Sequence, residues 1–495
     1  MADAKTPPPT PGTPPTGLLG RIRAQSDKLT RREKVGFACH DGAMELYVNF
    51  FNLYLMVFYT NVAGIPPALA GTLIMICTIW NAINDPVIGI LVDNYRFKNG
   101  EKIRPILKWA TIPTVLFIII LFWMPELQPS AAFVYALVVY CVMESFATFL
   151  GIPYLTLPSV LTSKPEERVS LSLSAALGAC IGPIIASTCS VLLMRGFGGV
   201  DDLGNVLDQR VGFRGAIIVI MVVFAVCHFV MYAVARERVR PQSAEKQRVG
   251  PIQAFRVLIT ERNVMSIIGY NIFYSLALSA MLTTVVYYCN YILLRPGGEA
   301  VLSPILILVA LGILPVVNLV NKLIKRRGLL ICASLAVLAS RISLMIAPMS
   351  FVAACVMAGF MGMAMGFSVV SISTNLSESI EIVEWRCGLR LEGTVQALRG
   401  LLIKIATAAL AFILGLAMQS AGYIAPTDEI LVPVQNLATQ QVFQGFFIYF
   451  PIVLAVLMLV MAFLSPTDRD AEQMRKEKAE AEAKPLTGSN PWQKQ

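Results

Sequence analysis

The chain is short of charge and of histidine. Only 14% of its 495 residues are Asp, Glu, Lys or Arg, against about 25% in soluble domains. Its 56% hydrophobic content therefore cannot be hidden in an ordinary core and still leave a surface that water will hold. Two histidines, His40 and His228, and the lack of any Cys-x-x-Cys pair exclude a zinc or redox centre of the usual spacing. The ten cysteines stand mostly singly in apolar runs, for example Cys77, Cys141 and Cys289, as small buried hydrophobes do. No GxxxxGK[ST] loop is present to cradle a nucleotide, which argues against primary transport by this chain alone. The net charge of +9 follows from basic loops that set membrane orientation, not from a nucleic-acid surface.

What is present is a series of apolar runs of about 20 residues, long enough to cross a hydrocarbon layer about 30 Å thick. They lack period-2 alternation, so they read as helices and not as a barrel. Twelve spans are expected near 36–60, 67–93, 103–124, 131–157, 170–194, 213–236, 263–293, 302–322, 328–348, 350–378, 393–420 and 441–464. The fold class is thus an all-α membrane protein with two six-helix bundles, 36–236 and 263–465. A Pro-rich, then basic N-terminus (1–35), a polar linker (237–262) and a charged tail (466–495) surround them. Basic residues fill the loops 94–104, 164–168, 236–262, 322–327 and 386–390. The loops 61–66, 125–130 and 422–440 have almost none, and only 195–214 breaks the alternation. By the positive-inside rule both termini are cytoplasmic, in a multi-pass protein of the cell membrane with no cleaved signal. Two such bundles rocking about a midplane site are a common build of secondary transporters. Lipid and one small molecule are the expected partners, the chain is expected to act as a monomer, and no cofactor is implied.

Charges inside the spans point to the site, because each costs at least about 2.5–3.5 kcal/mol at the bilayer centre. Asp41, Glu45, Asn49 and Asn52 share one helical face of the first span. Thr78, Asn81 and Asp85 share a face of the second, and Asp85 could take a proton or a sodium ion. A single carboxylate there favours the proton. Glu144, Thr148 and Gly151 line one face of the fourth span, Tyr270 and Tyr274 lie deep in the seventh, and Gln396, Gly400, Lys404 and Thr407 share a face of the eleventh. Lys404 is too deep to snorkel easily, which calls for a carboxylate such as Asp85 or Glu45. The basic turn after the second span (Asp93, Arg96, Lys102, Arg104) has a counterpart after the eighth, NKLIKRRG at 321–328, and Glu384 and Arg390 flank the turn after the tenth. These turns suit topology and gating.

Three stretches carry a family resemblance: YLMVFYTNVAGIPPALAGTLIMICTIWNAINDPVIG, GIPYLTLPSVLTSKPEERVSL and ESIEIVEWRCGLRLEG. Over roughly 35–465 the chain resembles the glycoside–pentoside–hexuronide:cation symporters of the major facilitator superfamily, the melibiose permeases among them. The resemblance implies the major facilitator fold, with import of a sugar or glycoside coupled to a proton or sodium ion and no enzymatic activity. It places Asp85 and Asn81 at the two acidic cation positions of the second span, Thr148 and Lys404 beside them, and Glu45 at a sugar-binding acid. Asn81 departs from the family's aspartate, Gly151 replaces an aspartate and Ala176 an arginine of the sugar site. Substrate contacts are therefore expected from Glu45, Asn49, Asn52, Glu144, Thr148, Gly151, Tyr274 and Gln396, and coupling from Asp85, Asn81, Thr148 and Lys404. Sodium at Asp85 is the only metal in prospect. Glu144 and Thr148 also resemble a stretch of the vertebrate lysolipid transporters, which keeps an amphiphile or an organic anion open as cargo. A sensor or scaffold without flux would not need the four intramembrane charges Glu45, Asp85, Glu144 and Lys404.

Overall fold

A computed structural model describes residues 28–94, 97, 103–202, 204–238, 261–387, 392–427, 430–465 and 476. The described residues are almost wholly helical, with a single β-bridge between Val200 and Val206. The helices are α1 (Arg31–Val57), α2 (Pro67–Asn94), α3 (Arg104–Phe122), α4 (Pro129–Leu161), α5 (Pro165–Gly198) and α6 (Gln209–Val234) in the first half. The second half has α7 (Arg262–Tyr291), α8 (Glu299–Ile346), α9 (Phe351–Cys387), α10 (Glu392–Ser420), α11 (Leu437–Gln444) and α12 (Phe450–Leu464). Eleven segments are long and apolar enough to span a membrane. The twelfth crossing is α1, whose apolar run is diluted by Asp41, Glu45, Asn49 and Asn52.

Several helices run a turn or more beyond the apolar runs, as α5 does from Pro165 to Gly198. Hydrophobicity marks the lipid-buried part of a helix and not its ends, which caps decide. At α1 the cap is explicit: Thr30 and Glu33 form a capping box. Glu33 then pairs with Arg238 at 2.6 Å, tying the start of α1 to the exit of α6.

The eighth and ninth spans, Glu299–Val317 and Arg327–Ile346, stand close to the expected 302–322 and 328–348. Helical turns continue through the segment Glu299–Ile346, which contains both spans. Its two arms are nevertheless antiparallel. Gly362 and Gly366 of α9 approach Leu306 and Ala310 of the first arm in parallel order. The second arm runs against α9, with Ser343 bonded to the Ala353 carbonyl and Arg341 to Met361. The chain therefore reverses between Val317 and Arg327.

Helices α1–α6 pack together, α7–α12 pack together, and the halves meet along α2–α10, α5–α8 and α1–α7. Small residues set the close crossings. Gly178 and Gly182 of α5 lie against the backbone of Ala38 and Gly42 in α1, a small-xxx-small contact with no room for a Cβ. Gly71 and Gly415 do the same between α2 and α10. Two short π-helical turns interrupt the regular ladder, Phe58–Val62 after α1 and Gly445–Tyr449 before α12. The second coincides with a buried cation: Arg341 is fully buried and donates to the Phe447 carbonyl at 3.0 Å, an acceptor within the π-turn.

Candidate functional site

Several hydrogen bonds join the halves on one face. On the face opposite the start of α1, Tyr54 donates to Glu299 (3.0 Å) and Thr60 bonds Tyr287 (2.8 Å). Tyr423 donates to Asn61 (2.7 Å), and Arg195 donates to the Pro296 carbonyl (3.0 Å). Glu299 stands in the first turn of α8, where the helix N-terminus favours a carboxylate. Going inward from that seal, Lys404 bonds Asn81 and Asp85 across the halves. Beyond them, toward the α1-start face, Gly393 and Gly400 of α10 have open space at the Cβ position.

Two groups of side chains converge at mid-depth. In the first, Lys404 of α10 reaches across to α2, donating to Asp85 Oδ2 at 2.5 Å and to Asn81 Oδ1. Thr148 of α4 donates to the other Asp85 oxygen at 3.1 Å. Asn81 uses its amide nitrogen on Glu144 Oε2. The result is a chain of contacts Glu144–Asn81–Lys404–Asp85–Thr148 spanning three helices and both bundles. Asp85 is charge-balanced by Lys404, whereas among the described residues Glu144 has only an amide partner. Pro86, inside α2 directly after Asp85, removes a backbone donor where the helix meets the cluster. The indole of Trp80 fixes α2 to α4 by bonding the Cys141 carbonyl and Ser145, both at 3.1 Å.

The second group faces a cavity of about 280 Å³ between the bundles. Glu45, Asn49 and Asn52 of α1 form one wall with Cys180 and Pro183 of α5. The facing wall comes from α7, α8 and α9 and is apolar except for Ser303. Glu45 and Asn52 have no hydrogen-bond partner among the described residues, and Asn49 Oδ1 is buried without one. Asp41, one turn from Glu45, is taken by the Tyr154 hydroxyl.

The predicted residues thus divide differently from the sequence expectation. Glu144 and Thr148 stand with Asp85 and not in the Glu45 cavity. Tyr274 is buried with an unpartnered hydroxyl, Gln396 is exposed on α10, and Gly151 has open space beside it; none of the three lines that cavity. The Thr78 hydroxyl bonds back to Ile74 in its own helix. Of the expected gating residues, Arg104 donates to the Tyr232 carbonyl at 3.2 Å and covers the Tyr232 ring, while Glu384 is exposed. The side chain of Asp93, and Arg96, Lys102 and Arg390, lie outside the described residues. Sequence reasoning did not single out Glu299, Tyr423 or Ser303; a buried acid just after the Pro-Gly-Gly turn was the available signal for Glu299. Among the described residues no three His, Cys, Asp or Glu side chains are grouped to hold a metal ion. A cation at Asp85 would have to take the place of the Lys404 ammonium.

Residues 36–469 match the family described as MFS/sugar transport protein. The chain belongs to that family. It is therefore a multi-pass membrane transporter of the major facilitator fold and not an enzyme. It is 26% identical to the isoprimeverose transporter of Lactiplantibacillus pentosus over 422 residues, 84% of this chain and 85% of that one. It is 29% identical over 211 residues to the "Putative glycoside/cation symporter YagG" of Escherichia coli (strain K12), 43% of this chain and 44% of that one. Among solved structures, a bacterial homolog of the human lysosomal transporter Spinster, inward-facing and unoccupied, superposes with TM-score 0.63. At 12% identity, covering 92% of this chain and 98% of that one, it supports the fold alone.

Proposed function

We propose that this member of the sugar-transport family is a proton-coupled symporter that imports a sugar or glycoside, with both termini cytoplasmic. The orientation rests on the basic loops. The observation that carries the coupling is the Lys404 ammonium shared by Asp85 and Asn81 across the two bundles. In the empty carrier the pair leaves no net charge on Asp85, so the bundles can rock without moving a bare carboxylate through the bilayer centre. A proton delivered to Asp85 discharges it and leaves Lys404 held across the bundles by Asn81 alone. Glu144, bonded to the same Asn81, is the second acid through which a proton can enter or leave. Asn81 in place of a second aspartate leaves few hard oxygen ligands for sodium, which favours the proton. Glu45 would bind substrate hydroxyls in the neighbouring cavity.

The test is uptake by proteoliposomes under separately imposed gradients. The reading requires accumulation driven by an inward proton gradient, collapse with a protonophore, and indifference to sodium at clamped pH. Accumulation driven by sodium alone would replace the proton with sodium. Uptake insensitive to both gradients would refute symport.

A further inference from the structure

Cys77 of α2 and Cys141 of α4 are 64 positions apart, and neither stands in a spacing that marks a redox pair. The fold brings their sulfurs to 3.8 Å. The contact lies one turn before Asn81 on α2 and before Ser145 on α4, on the side of the seal. The two thiols are unequally placed: Cys77 is fully buried and Cys141 half-buried. Trp80, whose indole donates to the Cys141 carbonyl, is 43% exposed. It belongs with Ile76, Ile83 and Val87 to an apolar stripe that α2 turns outward, toward lipid. A lone thiol buried in apolar surroundings is inert, because the reactive thiolate is not formed there. This pair differs in two respects. Each sulfur touches a second thiol, and Glu144, three residues on from Cys141 along the same helical face, interacts electrostatically with both.

We propose that Cys77 and Cys141 are a redox-active pair, oxidised to a disulfide by apolar hydroperoxides arriving from the bilayer, and that the cross-link fixes α2 to α4. Cys141 reacts first, being the accessible member. Its thiol proton passes to Glu144, and the thiolate sulfur attacks the terminal oxygen of the hydroperoxide. The O–O bond breaks, Cys141 becomes a sulfenic acid, and the departing alkoxide takes the proton from Glu144 to leave as an alcohol. The Cys77 thiol then displaces the hydroxyl from the Cys141 sulfur, forming the S–S bond and releasing water. In sum, two thiols lose two electrons and the hydroperoxide becomes alcohol and water. Closing from 3.8 Å to a bond of about 2.05 Å takes up about 1.8 Å, within the roughly 1–2 Å over which packed helices shift. Asn81 and Asp85 stand on α2, and Glu144 and Thr148 on α4, so the bond ties together the helices that carry the Lys404 cluster. The inference goes beyond the symport reading and holds whichever ion or cargo the carrier takes.

The experiment treats the full chain in lipid nanodiscs with cumene hydroperoxide. Remaining thiols are then blocked with N-ethylmaleimide in dodecyl sulfate, and the cysteines are mapped by peptide mass spectrometry. The expected product is a linked peptide pair joining Cys77 and Cys141, lighter by two hydrogens than the reduced peptides and returned to them by dithiothreitol. A cross-link closing 64 residues should raise the melting temperature by about 2 °C or more, reversibly with the same reductant. This comparison of oxidised with re-reduced wild type needs no variant. Cys77→Ala and Cys141→Ala should each abolish the link and the rise. In Cys77→Ala the reaction should stop at a sulfenic acid on Cys141, trapped by dimedone, whereas in Cys141→Ala the Cys77 thiol should survive intact. Full alkylation of both cysteines after treatment would overturn the proposal, as would oxidation of Cys77 in Cys141→Ala. A link formed without a rise in melting temperature would overturn the claim that it fixes α2 to α4.

Discussion

Breaking the bond between Lys404 and Asp85 should separate coupling from transport. The two groups are 2.5 Å apart, with side chains 34% and 39% exposed. At that distance a unit charge pair is worth about 1.7 kcal/mol in bulk water and about 6.6 kcal/mol at an effective dielectric of 20. Partial exposure and the desolvation of both ions bring the net coupling down to about 1–3 kcal/mol. In a double-mutant cycle of Asp85→Asn, Lys404→Met and the pair, each single substitution leaves its partner, Lys404 or Asp85, uncompensated and should lower stability. The double substitution should recover part of the loss, with an interaction energy in that range. The assay is unfolding of the purified variants in nanodiscs, run beside proteoliposome transport. Asp85→Asn should retain substrate exchange between equal concentrations on both sides while losing accumulation against a gradient. Additive stabilities would show that the pair contributes nothing, and wild-type accumulation by Asp85→Asn would refute the role of Asp85.

Three further outcomes follow from named contacts. Glu45→Gln removes no protein hydrogen bond, so its melting transition should stay within about 0.5 kcal/mol of wild type, while substrate affinity measured by binding falls at least about tenfold. Gly178→Val would drive side-chain atoms into the Ala38 backbone and should lower expression and melting temperature sharply, whereas Gly151→Ala, with open space at its Cβ, should leave both near wild type. Tyr54→Phe with Tyr423→Phe removes the bonds to Glu299 and Asn61 that seal one face. Two hydrogen bonds at about 1 kcal/mol each should raise the population open on that face roughly tenfold or more, read as faster modification of a cysteine introduced at Val57.

The polar ladder of α1 shows how far periodicity reaches. Spacings of four and three put Glu45, Asn49 and Asn52 on one face, and that face does line the cavity, because a rigid helix carries its register into the fold. The same argument applied to α4 grouped Glu144, Thr148 and Gly151 correctly as a face but could not say what the face meets. Packing of α4 on α2 through Trp80 turned Glu144 to Asn81, away from the Glu45 cavity. Lys404 is the intermediate case: its depth demanded an acid, and sequence offered Asp85 or Glu45 without a way to choose. The close approach of Gly71 and Gly415 brings α2 and α10 together and decides for Asp85.

By itself, then, the sequence determined the membrane class, the number of crossings, the basic loops and which side chains share each helical face, because all of these are local consequences of hydropathy, charge and the 3.6-residue period. Only the tertiary structure decided which faces meet, and that one face is sealed by Glu299 and Tyr423. Those depend on contacts between residues far apart in sequence, set by small-residue crossings and by hydrogen bonds that have no local signature.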